Sequence, residues 1–303
     1  MMKKICILCL LFMFSVVSFA ADRLKVGVTL QPYYSFVANI AGDRVDLFPI
    51  IRGDLYDIHN YHPQYEDLKK LSEADAIVIN GIGHDEFVFD MLKAISNKDK
   101  IKIIYSNDGV SLMPVSGTRH SEKIMNPHTF ISITATIQQV YNIAKELGKL
   151  DPENKKYYMK NARNYAKKLR KMKIDALNQV VSLKDLDFRV ATMHAGYDYL
   201  LSEFGVDVKA VIEPAHGIQP SANDLKEVID RVNKEKIDII FGESSYHNKF
   251  VDTVQEATGV ELRSLGHMTS GPYTKESFEK FIQKNLDSIV EAMQLVAKKK
   301  GIK

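Results

Sequence analysis

Residues 24–50, LKVGVTLQPYYSFVANIAGDRVDLFPI, carry three successive patterns in one short span. Residues 24–30 read as a strand, 33–40 space their apolar side chains as a helix does, and 44–50 read as a strand again. A strand, a helix and a second strand in immediate succession form the βαβ unit, whose strands lie parallel in a sheet covered on both faces.

The same rhythm continues outward. Helical spacing over 64–71 and 86–95 alternates with strand-like runs at 76–80 and 101–105. A helical segment at 131–147 then leads to Asp151-Pro152-Glu153, a helix-start signature that opens a long helix running to about residue 181. Strands at 188–193, 206–212, 237–241 and 260–265 follow, with helices at 197–204, 222–233, 248–258 and 275–298. The reading is an α/β chain of two lobes, each a parallel sheet with flanking helices, joined by one long rigid helix. The expected boundaries are 1–20 for a leader, 21–150 and 183–303 for the lobes, and 151–182 for the linking helix.

The leader follows from the first twenty residues. Met1-Met2-Lys3-Lys4, an apolar run over 5–17 and then Ser18-Phe19-Ala20 have the charged, apolar, small order of a secretory signal. No later run approaches the roughly 20 apolar residues that a bilayer crossing needs, so direct membrane insertion is not expected. Cys6 and Cys9 are the two cysteines of the chain. Both lie in the leader, which leaves the mature chain no thiol, disulfide or cysteine ligand and no sign of a lipid anchor.

Charge excludes another class of partner. The chain has 41 Lys and Arg against 38 Asp and Glu, and losing Lys3 and Lys4 with the leader nearly balances them. Nucleic acid is therefore not expected as a partner. The basic run at 155–173 carries Tyr158, Ala162, Tyr165, Leu169, Met172 and Ala176 at spacings of three and four, the pattern of one buried stripe beneath a solvated basic face. Gly81-Ile82-Gly83 lacks the spacing of a phosphate loop.

Nine histidines remain: His59, His62, His84, His120, His128, His194, His216, His247 and His267. Most fall in loops or at helix starts. His59 follows the strand at 44–50, His194 ends that at 188–193 and His267 follows that at 260–265, so all three belong to loops at carboxyl ends of strands, where open α/β sheets bind ligands. His128, opening the helix at 131–147, can reach the same cleft. Neutral imidazoles converging from separate loops suit a divalent transition ion, and neither HxxxH nor HExxH is present to make a local helical site.

Taken together these segments resemble the zinc- and manganese-binding receptors of bacterial ABC importers. The likeness is carried by Asp57-Ile58-His59-Asn60-Tyr61-His62-Pro63 continuing through Asp67-Leu68, Ala74-Asp75-Ala76 and Asn80-Gly81-Ile82-Gly83, by Asn126-Pro127-His128 with Phe130, and by Met193-His194 with Tyr197, Tyr199 and Leu200. Asp151-Pro152-Glu153, Gln219-Pro220-Ser221 and Ile240-Phe241 with Glu243 match further landmarks. The resemblance implies His59, His128 and His194 as metal ligands, Zn2+ as cargo with Mn2+ second, and an extracytoplasmic, periplasmic monomer that delivers the ion to a membrane ABC permease.

Two departures stand out. The segment between Tyr105 and Asn126, where many zinc-type members carry a long histidine-rich loop, holds only His120, and Arg263 stands where an acidic fourth ligand is often found. A guanidinium cannot ligate a cation, so Arg263 is expected to turn toward a carboxylate and His267 to complete the set. Water, or a rim histidine such as His62 or His216, is the alternative to His267. A three-histidine zinc hydrolase with Glu243 as base is the competing reading, and a metal chaperone or adhesin on the same fold is a third.

Overall fold

The computed structural model describes residues 22–53, 61–115, 125–213, 220–243, 248–268 and 270–302. The leader, His59, His120, His216 and His247 lie outside the described residues.

The first lobe contains β1 (Leu24–Val28), α1 (Gln31–Ala41), β2 (Val45–Pro49), α2 (Tyr65–Ser72), β3 (Ala76–Ile79), α3 (Phe87–Ala94), β4 (Lys102–Tyr105) and α4 (Ile133–Leu150). Its four strands are all parallel in the order β2-β1-β3-β4. β3 is buried along its whole length, as a central strand covered by helices on both faces must be. The quoted segment 24–50 is the first βαβ unit, with Leu24 opposite Val45 and Val28 opposite Pro49.

A single helix over 151–181 was the expectation. The structure divides it into a 3-10 turn at Pro152–Asn154, α5 at Lys155–Asn178 and a second 3-10 turn at Val181–Leu183. Asp151 sets the start: one carboxylate oxygen accepts from the Asn154 N–H at 3.3 Å, and the other accepts from the Tyr158 hydroxyl at 2.5 Å. The stripe Tyr158, Ala162, Tyr165, Leu169 and Ala176 is buried as its spacing requires, and Met172 is half-buried.

The second lobe contains β5 (Val190–Thr192), α6 (Asp198–Ser202), β6 (Val208–Val211), α7 (Ala222–Lys234), β7 (Ile239–Glu243), α8 (Lys249–Thr258), β8 (Glu261–Leu265) and α9 (Ser277–Lys299). Its strands are also parallel, in the order β6-β5-β7-β8. Both sheets thus reverse direction of growth between their first and third strands, and open α/β sheets take ligands at the carboxyl side of such a reversal.

Helix α9 ties the lobes together. Phe278 packs edge-on against Phe36 of α1 with ring centres 4.8 Å apart, and Glu279 meets the Lys168 ammonium of α5 at 2.7 Å. One continuous apolar core therefore runs from the first sheet across α5 and α9 to Val190, Ile239, Phe241 and Leu265 of the second. A smaller core, built around Ala191, Ile212, Val232, Ile240 and Val254, lies beneath α7 and α8. Among the described residues no helix is long and apolar enough to cross a membrane.

Candidate metal centre

Four imidazoles meet between the lobes: His84, His128, His194 and His267, exposed by 2%, 6%, 2% and 3%. One nitrogen each of His84, His128 and His267 lies within 4.8 Å of the others. The Nε2 atoms of His194 and His267 are 3.3 Å apart. That separation is the edge of a tetrahedron of nitrogens about 2.0–2.1 Å from a central ion, which is about 3.3 Å.

Each ring is positioned by its own loop. His128 opens a 3-10 turn (His128–Ile131) just after Pro127. Its backbone N–H and its Nδ1 both donate to Asn126 Oδ1, at 3.1 and 2.7 Å, while Asn126 Nδ2 donates to the Ala195 carbonyl at 2.7 Å. Because the carboxamide donates on one side, its oxygen must accept on the other, so Nδ1 of His128 carries the proton and Nε2 carries the lone pair.

His194 follows β5, whose ladder is extended by the Met193 N–H donating to Phe241 O at 2.9 Å. Gly196 passes so close behind that a Cβ there would lie 2.4 Å from His194 Nε2 and 3.1 Å from His267 Nε2. His267 follows β8 across Gly266, and Asn285 of α9 holds Gly266 on both sides, accepting its N–H at 2.7 Å and donating to its carbonyl at 3.0 Å. Met268, the next residue, is buried with φ +62, a left-handed conformation that a non-glycine residue keeps only where its surroundings enforce it.

His84 was not among the expected ligands. Its loop joins β3 to α3 through Gly81 and Gly83, both at positive φ, and the next residue anchors it. The buried Asp85 carboxylate accepts from the Asn80 N–H at 2.7 Å, the Gly81 N–H at 3.0 Å and the Thr29 hydroxyl. Burial pushes the Asp85 carboxyl above its ordinary range, and the three hydrogen bonds act against that rise. The signal available in the sequence was the Gly81-Ile82-Gly83 run, which turns the chain sharply and delivers the following histidine inward.

Apolar and aromatic side chains close the floor. Phe130, fully buried, lies 5.1, 6.1 and 6.3 Å from the ring centres of His84, His128 and His267, and Tyr197 lies 5.1 Å from His194. The Tyr197 hydroxyl donates to Glu243, the residue considered as a base, so that carboxylate is engaged as an acceptor at the end of β7. His62 is exposed. Arg263 turns to Glu261, two residues back on the same strand face, with 2.6 Å between guanidinium and carboxylate.

Comparison with known proteins agrees with this architecture. The family described as zinc-uptake complex component A, periplasmic, matches residues 26–292. The manganese ABC transporter substrate-binding lipoprotein PsaA of Streptococcus pneumoniae is 28% identical over 315 residues, covering 96% of this chain and 99% of that protein. The solute-binding protein FpvC of Pseudomonas aeruginosa in complex with Mn2+ is 46% identical, with a TM-score of 0.85 over 90% of this chain and 99% of its own. Its complex with Ni2+ gives 46% identity and a TM-score of 0.83 over 90% and 97%.

Proposed function

The chain belongs to the family of periplasmic zinc-uptake component A, and from that premise we propose that it is an extracytoplasmic receptor that captures a divalent first-row transition ion between its lobes and hands it to a membrane ABC permease. It is a binding component and not an enzyme. One observation carries the reading: buried imidazoles from separate loops in both lobes converge, with His194 and His267 Nε2 at the spacing of two ligands on one ion.

The ion we assign is Zn2+. His128, His194 and His267 supply nitrogen donors, and the expected fourth residue His59 lies outside the described residues. Nitrogen-rich sites hold zinc and nickel more tightly than manganese, which is better served by carboxylates. The ions named for the relatives, manganese for PsaA and manganese and nickel for FpvC, are the competitors to measure.

The deciding experiment is the metal content and stoichiometry of the mature protein purified from its own host without an affinity tag, followed by competition titrations with Zn2+, Ni2+ and Mn2+. One ion per chain with zinc preferred supports the assignment. Manganese preferred over zinc overturns the choice of ion, and no bound ion overturns the receptor.

A further inference from the structure

We infer that His84 is itself a metal ligand, which makes the described site one of four imidazoles from four loops. The inference rests on the receptor reading and adds to it a residue outside the motifs that carry the family resemblance. Three observations support it.

The first is distance. A His84 ring nitrogen lies within 4.8 Å of those of His128 and His267, and its ring centre is 4.9 Å from that of His128. Rotation of the rings through a fraction of that distance brings the nitrogens to the roughly 3.3 Å edge of a tetrahedral site.

The second is support from behind. Asp85, one residue on, is gripped by Thr29, Asn80 and Gly81, so the backbone at 84 is fixed and its side chain is directed into the cleft by the loop itself. A ligand needs this kind of outer anchoring, because a freely rotating donor loses entropy on binding.

The third is linkage between ligand loops. Asn80 Nδ2 donates to the Pro127 carbonyl at 2.8 Å, immediately before His128, and Asn107 Nδ2 donates to both the carbonyl and the side chain of Asn80. The His84 and His128 loops are thereby one unit on the first lobe, facing His194 and His267 on the second. Two imidazoles from each lobe would clamp an ion symmetrically. A site completed by imidazole rather than carboxylate favours zinc, nickel and cobalt over the harder manganese, magnesium and calcium.

The alternative is that His84 is a packing residue on Phe130. To separate the two, wild type, His84→Gln and His84→Ala are stripped of metal and titrated with Zn2+ by calorimetry and with Co2+ followed in the visible. A ligand predicts that both variants weaken Zn2+ by more than about 100-fold, beyond the 10- to 100-fold typical of outer partners. It also predicts that the Co2+ ligand-field bands move. A smaller loss with superimposable Co2+ bands overturns the inference while leaving the receptor intact. If wild type takes up neither ion, the receptor reading fails first and this inference with it. A measurement on wild type alone guards against variants that do not fold: in nitrogen NMR one His84 ring resonance must shift on Zn2+ addition, and an unmoved ring overturns the proposal.

Discussion

Asn126 grips His128 and Ala195 at once, accepting the His128 Nδ1–H at 2.7 Å and donating to the Ala195 carbonyl at 2.7 Å. One carboxamide therefore fixes the tautomer of a ring on the first lobe and the position of the residue after His194 on the second. Asn126→Ala should lower zinc affinity about 10- to 100-fold, the usual effect of removing a partner that orients a histidine ligand. Asn126→Asp should behave differently. Its carboxylate can still accept from His128, but it would face the Ala195 carbonyl and the Asp198 carboxylate, which now lies 3.3 Å from Nδ2. Zinc binding should largely survive while the ion-free protein loses about 1–3 kcal/mol, the effect of a buried hydrogen bond left unmade. Calorimetry and urea unfolding on the two variants test this, and an Asn126→Ala protein with wild-type affinity would remove the tautomer argument.

Gly196 offers a test of the coordination space itself. A methyl group there would stand 2.4 Å from His194 Nε2 and 2.9 Å from its Cδ2. These are atoms at the far end of a side chain, so the ring can swing aside and the fold should hold. Gly196→Ala should thus keep a melting temperature near wild type and lose zinc affinity by at least about tenfold, since a displaced donor no longer meets the ion. Unchanged affinity would mean that His194 does not bind where its Nε2 now lies.

The lobes should close little on binding. Helix α5 is a 24-residue strut, about 36 Å long at 1.5 Å per residue, and α9 seals it against α1. Side chains also cross between lobes: Ser35 Oγ donates to Thr274 O at 2.7 Å, and Glu203 accepts from Ser132 Oγ and the Thr134 N–H, both at 2.7 Å. A hinge opening would break these contacts and the shared core together. Solution scattering of the ion-free and zinc-loaded protein should give nearly equal radii of gyration, and compaction by several ångströms would refute the strut.

Which parts of this were legible in the sequence follows from range. The strands and helices were readable because periods of 2 and 3.6 residues are local, and the long helix because its buried stripe repeats over about five turns. His128, His194 and His267 could be placed because each sits at an element boundary. The order of the strands was not readable, since parallel pairing depends on contacts far apart in the chain. The inward placement of His84 was not readable for a related reason: it depends on Asp85 reaching Thr29 and on Asn80 reaching Pro127, 47 residues away. Arg263 was expected to turn to a carboxylate, and the structure makes that partner Glu261, two residues back on the same strand face.

That pair supplies the last prediction. Glu261 accepts from the Lys299 ammonium of α9 at 2.5 Å and meets the Arg263 guanidinium at 2.6 Å. The Lys299 hydrogen bond, aided by the charge of Arg263, holds the Glu261 carboxyl below its ordinary value of 4.5. A carboxyl lowered in the folded state contributes stability that is fully present above its unfolded value and is lost as pH falls through the folded one. The groups lie near the surface, so the contribution should be under about 1 kcal/mol. Wild type should therefore exceed Glu261→Gln by a small, constant margin near neutral pH, and the margin should shrink below 4.5. Urea unfolding at several pH values reads this directly, and a margin that persists in acid would show that the residue acts by packing. Because the arginine is occupied here and not at the ion, Arg263→Ala should bind zinc as wild type does; tighter binding would place its charge within reach of the metal.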